Sequence, residues 1–110
     1  MTGYIQVVTT TDSREAAETI AAAVLAERLA ACVQISQCQS WFRWQGKVEH
    51  AAEFCCTMKS RADLYPELEV AIRRLHPYEV PEILATEVSG GAESYLAWLD
   101  RELRPGKEIS

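Results

Sequence analysis

Residues 32–60 read CVQISQCQSWFRWQGKVEHAAEFCCTMKS, and this stretch decides the fold. Both of its halves contain β-branched and aromatic residues, and the second half alternates apolar with polar positions, which is typical of β-strands. Gln45-Gly46, between the halves, suits a tight turn because glycine adopts positive φ at little cost. The stretch predicts a hairpin with arms 32–44 and 47–60, both longer than the usual strand of about 5–6 residues.

The second arm of this hairpin predicts two different faces, because successive side chains of a strand point to opposite sides. One face carries apolar side chains, at Val48, Ala52, Phe54, Cys56 and Met58. The other face is polar and is expected to be solvated, with Glu49, Glu53, Thr57 and Lys59. Cys55 and Cys56 therefore point to opposite sides and are badly placed to chelate one metal ion together.

The residues before the hairpin predict a strand followed by a helix. Residues 4–11 are rich in Val, Ile and Thr, which favours a strand. Asp12 or Ser13 then offers an N-cap oxygen, and Glu15 stands at a capping-box spacing from Asp12. An alanine-rich apolar face predicts that the helix continues to about Ala30.

A second helix follows the hairpin. Asp63 is a candidate N-cap, and Pro66 is tolerated in a first helical turn. The helical signal is strongest here, since five apolar residues fall on one face: Leu64, Leu68, Ala71, Ile72 and Leu75. The helix is expected to end near His76, because Pro77 disfavours α geometry at the residue before it.

The last third predicts an extended connection at 77–82, a strand at 83–89 and a third helix at 92–103. Gly90-Gly91 separates the strand from the helix. The inward side of the third helix is expected to carry Tyr95, Leu96, Leu99 and Leu103, and the tail from Arg104 is expected to fray. The order β-α-β-β-α-β plus a helix predicts an α+β, ferredoxin-like fold with an antiparallel sheet and helices on one face.

Composition and charge narrow the class of protein. The 110 residues suit a single domain, 1–110. The net charge of −5, with no basic cluster, argues against nucleic-acid binding. The sequence shows no signal peptide and no apolar run long enough to span a membrane. We therefore expect a cytoplasmic protein with no nucleic-acid or membrane partner, whose four cysteines are free thiols.

The first hairpin arm predicts self-association. Trp41 is out of phase with Phe42 and Trp44, so both faces of the arm carry aromatic rings. Exposed apolar patches of this kind commonly mark subunit interfaces, and we expect a homo-oligomer. The alternative is that the third helix covers the patch through Trp98.

Five stretches in order along the chain resemble the CutA family of divalent-cation tolerance proteins. They are Thr9-Thr10 at a strand end, RLAAC at 28–32, WQGK at 44–47, HPYEVPEI at 76–83 and YLAW at 95–98. The resemblance implies a homotrimer packed through its sheets, similar in architecture to the PII signalling proteins. It also implies a role in tolerance to copper and other divalent cations, with a proposed part in signal transduction through an unidentified protein partner.

The resemblance further implies a metal site, most plausibly for Cu²⁺, that uses Cys32 and His76. Some family members add a Cys near the end of the first strand, where this chain has Thr9 or a neighbour instead. Two ligands hold a metal weakly unless a carboxylate such as Glu79 helps. From the residues alone, His76 better suits a helix-end histidine bonded to carbonyls, and Cys32 better suits a small buried hydrophobe.

The proline-stiffened loop after the second helix predicts either a subunit contact or a ligand cleft, formed by Tyr78, Glu79 and Glu82. No nucleophile–base pair, phosphate loop or dinucleotide motif occurs, so an enzyme is not expected. Two hypotheses remain. One is a trimer that binds a divalent cation and signals through its assembly; the other is a PII-like scaffold or small-molecule sensor without a physiological metal site.

Overall fold

A computed structural model describes residues 2–106 of the chain. Four antiparallel strands form one sheet in the order β2-β3-β1-β4, which confirms the expected ferredoxin-like α+β fold with a long hairpin and an additional C-terminal helix. The elements are β1 Tyr4–Thr11, α1 Arg14–Ala26, β2 Cys32–Trp44, β3 Lys47–Arg61, α2 Tyr65–Leu75, β4 Leu84–Glu87 and α3 Glu93–Glu102.

The main core lies between one face of the sheet and the helices α1 and α2. Val7 of β1 lies opposite Met58 of β3, so both side chains point to this face, and both are fully buried. The helices contribute apolar side chains such as Ile20 and Ile72 to the same cluster. No helix within residues 2–106 is long and apolar enough to cross a membrane.

The opposite side of the sheet, here called the second face, is covered only at its ends. Register places on it Gln6, Val8 and Thr10 of β1, Cys32, Gln34, Ser36 and Cys38 of β2, and Glu53, Cys55, Thr57 and Lys59 of β3. The α3 helix contacts one end, where Tyr4 donates a hydrogen bond to Asp100 and Lys59 lies over the Tyr95 ring. The second face is therefore partly free for other contacts.

The first helix ends earlier than the sequence indicated. It stops at Ala26 rather than near Ala30, because Arg28 adopts left-handed geometry with φ 56°. At its start, the Ser13 hydroxyl accepts the hydrogen bond of the Ala16 amide, so the capping box predicted from Asp12 is wrong.

Other boundaries also shift. A 3₁₀ turn precedes α2, and Asp63 pairs with Arg61 instead of capping the helix. The second helix ends before His76, as expected, with His76 in extended geometry. The last strand and helix are shorter than predicted, at 84–87 and 93–102, and Tyr95 is exposed instead of inward. Arg104 is held by hydrogen bonds to the Glu27 carbonyl, so the predicted fraying is wrong there; residues 107–110 lie outside the described residues.

Arg28 joins α3 to the body of the domain, and this predicts a measurable loss of stability on its removal. Its guanidinium donates to the carbonyls of Arg101 and Glu102 at 2.6 and 2.9 Å, at the end of α3 where carbonyls lack helical partners. We expect Arg28→Ala to lower the free energy of unfolding by about 1–2 kcal/mol. Arg28→Gly should cost less, because glycine adopts positive φ without strain. Urea denaturation at one protein concentration measures both; equal stability of Arg28→Ala and the wild type would contradict this role.

Candidate functional site

The long hairpin extends beyond the rest of the sheet as a two-stranded ribbon of residues 38–44 and 47–53. The β1 strand stops pairing at Thr11, opposite Phe54, and beyond this point β2 and β3 pair only with each other. At about 3.3 Å per residue, the ribbon reaches about 23 Å past the sheet. Gln45 and Gly46 form its turn with φ of 50° and 80°, which confirms the predicted tight turn.

The ribbon exposes large apolar side chains on both faces. Trp41 is 66% exposed and Trp44 is 45% exposed, with Phe42 and Val48 also exposed. Val48 lies on the predicted apolar face of the second arm but stays exposed within one subunit. An isolated two-stranded hairpin is marginally stable in water. The ribbon thus has the features of a surface that packs against another molecule.

Trp41 makes its ring contact within the ribbon itself. It stacks on His50 with ring centroids 4.1 Å apart, and His50 Nε2 hydrogen-bonds Gln39 at 2.7 Å. Trp98 packs instead against the small cluster of Leu64, Leu99 and Leu103 at the other end of the sheet, and its ring centroid lies 5.5 Å from that of Tyr95. The alternative that Trp98 covers the ribbon is therefore wrong.

His76 holds the loop after α2 against the end of β1. Its Nε2 lies 2.8 Å from the Thr10 carbonyl, and its Nδ1 lies 3.1 Å from the Tyr78 amide nitrogen. A carbonyl only accepts and an amide N–H only donates, so Nε2 carries the proton and Nδ1 is the acceptor. Both ring nitrogens are in use, and a metal ion would have to displace one of these hydrogen bonds.

Tyr78 brings this loop onto the second face of the sheet. Its hydroxyl donates to Glu53 at 2.6 Å, and Glu53 is only 7% exposed, so the prediction that Glu53 is solvated is wrong. Burial, followed by the hydrogen bond and nearby negative charges, raises the pKa of the Tyr78 hydroxyl above its ordinary value. The loop bends here instead of running extended, while Glu79 and Glu82 remain exposed.

A single subunit does not bring Cys32 and His76 together. Cys32 lies opposite Lys59, whereas Thr10, which holds the His76 ring, lies opposite Cys55. These two points on β3 are about 13 Å apart at the rise of an extended strand. Among residues 2–106, no group of three or more His, Cys, Asp or Glu side chains is placed to hold a metal ion. A site that used both Cys32 and His76 would therefore need residues from more than one subunit.

The structure brings two cysteines close together on the second face, and the sequence patterns did not predict this pair. Cys38 lies directly opposite Glu53, and Cys55 lies two residues further along β3 on the same face. Burial raises the pKa of Cys55, while Cys56 is fully buried on the helix side, as expected for neighbouring strand residues. The two-residue turn fixes the register and was the signal that would have revealed this cluster.

A surface groove of about 390 Å³ lies away from these residues, beside α1 and α2. Its two arginines are already paired, Arg74 with Glu27 and Arg104 with Glu67. The groove therefore has no free cationic group with which to bind an anion.

Comparison with known proteins identifies the family of this chain. The family described as "CutA1 divalent ion tolerance protein" matches residues 5–102. The chain belongs to the CutA1 family. Among curated relatives, a divalent-cation tolerance protein CutA from Pyrococcus horikoshii is 39% identical over 91% of this chain and 98% of its own, and one from Thermus thermophilus is 44% identical over 84% and 91%.

Solved CutA1 structures share the fold closely. The Thermus thermophilus protein has a TM-score of 0.89 at 40% identity, over 92% of this chain and 99% of its own. A CutA structure from Archaeoglobus fulgidus gives 0.90 at 35% identity, over the same shares. The family names describe tolerance to divalent cations and name no reaction.

The Tyr78–Glu53 hydrogen bond predicts an alkaline loss of stability. Because the pKa of Tyr78 is raised by folding, its contribution is complete below about pH 10, where unfolded tyrosine ionises, and falls as pH rises further. We expect Tyr78→Phe to lower the free energy of unfolding by about 1–3 kcal/mol at pH 7, because Glu53 loses its donor. The variant should also lose less stability than the wild type above pH 10.

Chemical denaturation at pH 7, 9, 10 and 11 measures both effects. Tyr95→Phe is the matched control, since it removes the hydroxyl of an exposed ring. A Tyr78→Phe variant with wild-type stability and an unchanged pH profile would contradict a stabilising role for this hydrogen bond.

Proposed function

We propose that this CutA1 family member works as a homotrimer that binds a divalent cation, with Cu²⁺ the first ion to test, and that signals through its assembly. The exposed ribbon is the observation that carries the proposal. It presents Trp41 on one face and Trp44 on the other, and a ribbon of this kind needs a partner surface to be stable. A second copy of the chain offers such a surface on its partly uncovered second face.

The proposed cation site lies between subunits and uses Cys32 of one and His76 of another. Cys32 is a half-buried free thiol on the second face, which supports its contact with a neighbouring subunit. Thiolate and imidazole suit copper and zinc. Because both nitrogens of His76 are hydrogen-bonded in the isolated subunit, cation binding would release the loop from Thr10 or from Tyr78. The released loop would change the surface that a cytoplasmic protein partner contacts, and the partner would thereby respond to cation binding.

A second candidate function is a PII-like scaffold or small-molecule sensor without a physiological metal site. The hydrogen bonds on both His76 nitrogens favour this candidate. So does the lack, in the described part of the chain, of three His, Cys, Asp or Glu side chains placed to hold a metal ion. Its ligand would enter a cleft between subunits, beside Tyr78, Glu79 and Glu82.

Calorimetric titration separates the two candidates. Cu²⁺ and, in parallel, Zn²⁺ are titrated into reduced, chelator-stripped protein whose oligomeric state has been measured by sedimentation. The metal proposal predicts saturable binding near one ion per subunit that is lost in Cys32→Ser and in His76→Ala. Weak, unsaturable binding that is indifferent to both substitutions would exclude this metal site and leave the scaffold or sensor function.

A further inference from the structure

Two free thiols, Cys38 and Cys55, share the second face where the ribbon leaves the sheet. Cys38 lies opposite Glu53 and Cys55 lies opposite Ser36, so the cysteines are diagonal neighbours across β2 and β3. Diagonal pairs of this kind have Cα atoms about 7–8 Å apart. Both side chains are half-buried in the isolated subunit.

This spacing suits an ion between the two sulfurs better than a bond between them. A disulfide requires Cα atoms about 4.4–6.8 Å apart, closer than the diagonal positions. An ion that bridges two thiolates adds two metal–sulfur bonds of about 2.3 Å each and so spans the wider gap. Thiolate ligands select soft ions such as Cu(I). Two donors suffice for such d¹⁰ ions, which accept linear coordination.

The charge around the pair also favours a cation. Glu53, which lies opposite Cys38 and two residues from Cys55 on this face, is 7% exposed and makes no salt bridge within residues 2–106; its partner is the neutral Tyr78 hydroxyl. A buried carboxylate without a counter-charge is costly. Glu82 is close enough to interact electrostatically with Cys55, which makes the surroundings more negative. A bound cation would offset this charge.

We propose that Cys38 and Cys55 bind one soft monovalent cation, Cu(I) or Ag(I), within a single subunit, and that Glu53 supplies compensating negative charge. Each thiol that coordinates the ion releases its proton to solvent, and the oxidation state of the ion does not change. This site uses neither Cys32 nor His76. It therefore stands independently of the divalent-cation site proposed between subunits.

Anaerobic titration of the reduced, chelator-stripped full chain with Ag(I) tests the site, followed by Cu(I) in competition with a chromogenic Cu(I) chelator. The expected result is one tightly bound ion per chain, with ultraviolet charge-transfer absorbance that Cys38→Ser and Cys55→Ser both abolish. Cys56→Ala is the matched control, because it removes a thiol on the helix side of the sheet, outside both proposed sites, and should bind normally. Glu53→Gln should weaken binding about 10-fold without removing the ligands.

Circular dichroism checks that each variant folds, and Cys38→Ala or Cys55→Ala replaces a serine variant that does not. X-ray absorption of the wild-type Cu(I) protein needs no variant and should show two sulfur scatterers and no nitrogen. Unchanged binding in both Cys38→Ser and Cys55→Ser, loss of binding in Cys56→Ala, or a nitrogen ligand would each overturn the proposal. Failure of Cu²⁺ titration at Cys32 and His76 would leave it intact, so the two proposals fail separately.

Discussion

The double substitution Trp41→Glu, Trp44→Glu is expected to convert the proposed trimer into monomers. The two rings point to opposite faces of the ribbon, so the variant damages both surfaces on which a neighbour could pack. Burial of two such rings contributes about 3–6 kcal/mol per subunit, which corresponds to a change of about 100-fold or more in the dissociation constant. The introduced carboxylates add a desolvation cost to any remaining contact. Sedimentation velocity over a concentration series measures the shift.

Val70→Glu provides the matched control for this prediction. Val70 is as exposed as the ribbon tryptophans, but it lies on α2, away from the hairpin. The control should keep the wild-type assembly, which would show that an added charge at an exposed apolar position is not sufficient for dissociation. If the double variant keeps the wild-type mass, the ribbon is not the subunit interface. A monomeric wild type would show that the ribbon packs against a different molecule.

The hairpin was the most predictable part of the molecule, and the reason is local. Alternation along 47–60 and a two-residue Gln45-Gly46 turn determine both the strands and their pairing. Once that turn is fixed, every cross-strand partner follows, including Cys38 opposite Glu53. The cysteine pair was thus accessible from sequence, although alternation alone gave only the face on which each residue lies.

Features that depend on contacts between distant parts of the chain were not predictable from pattern. The sequence pattern predicts that Glu53 is solvated. In the structure Glu53 is buried and accepts a hydrogen bond from Tyr78, which belongs to the loop after α2. Asp63 is of a residue type that often caps helices, but here its carboxylate pairs with Arg61 instead. At Glu53 a tertiary partner overrides the local preference, whereas the residue that competes for Asp63 is only two positions away.

The candidate metal ligands show the same difference between local features, which the sequence predicts, and long-range contacts, which it does not. The end of α2 at His76 followed from Pro77, but the engagement of both ring nitrogens depends on the Thr10 carbonyl, which is 66 residues away. Likewise, the wide separation of Cys32 from His76 follows from the sheet register and not from the motifs that contain them. Sequence similarity identifies these residues as candidates, whereas the fold determines whether one subunit can join them.

Leu68→Ala is expected to be the most destabilising single substitution among those considered for α2. Leu68 is fully buried between α1, α2 and the sheet, so its truncation removes packed methyl groups and leaves a cavity. The expected loss is about 2–5 kcal/mol of unfolding free energy, measured by urea denaturation at one protein concentration. Val70→Ala, two residues along the same helix and largely exposed, should change stability by less than about 0.5 kcal/mol.

Leu68→Ala also tests whether core packing positions the loop of the candidate site. Because His76 directly follows the last residue of α2, a loosened helix should also loosen the loop that His76 holds against Thr10. Hydrogen exchange of the Tyr78 amide, which is bonded to His76 Nδ1, reports this directly and should accelerate in Leu68→Ala but not in Val70→Ala. Faster unfolding without faster Tyr78 exchange would show that the loop is anchored independently of α2, through its Tyr78–Glu53 hydrogen bond. In that case the position of the candidate site would depend on the sheet, and core packing would affect only global stability.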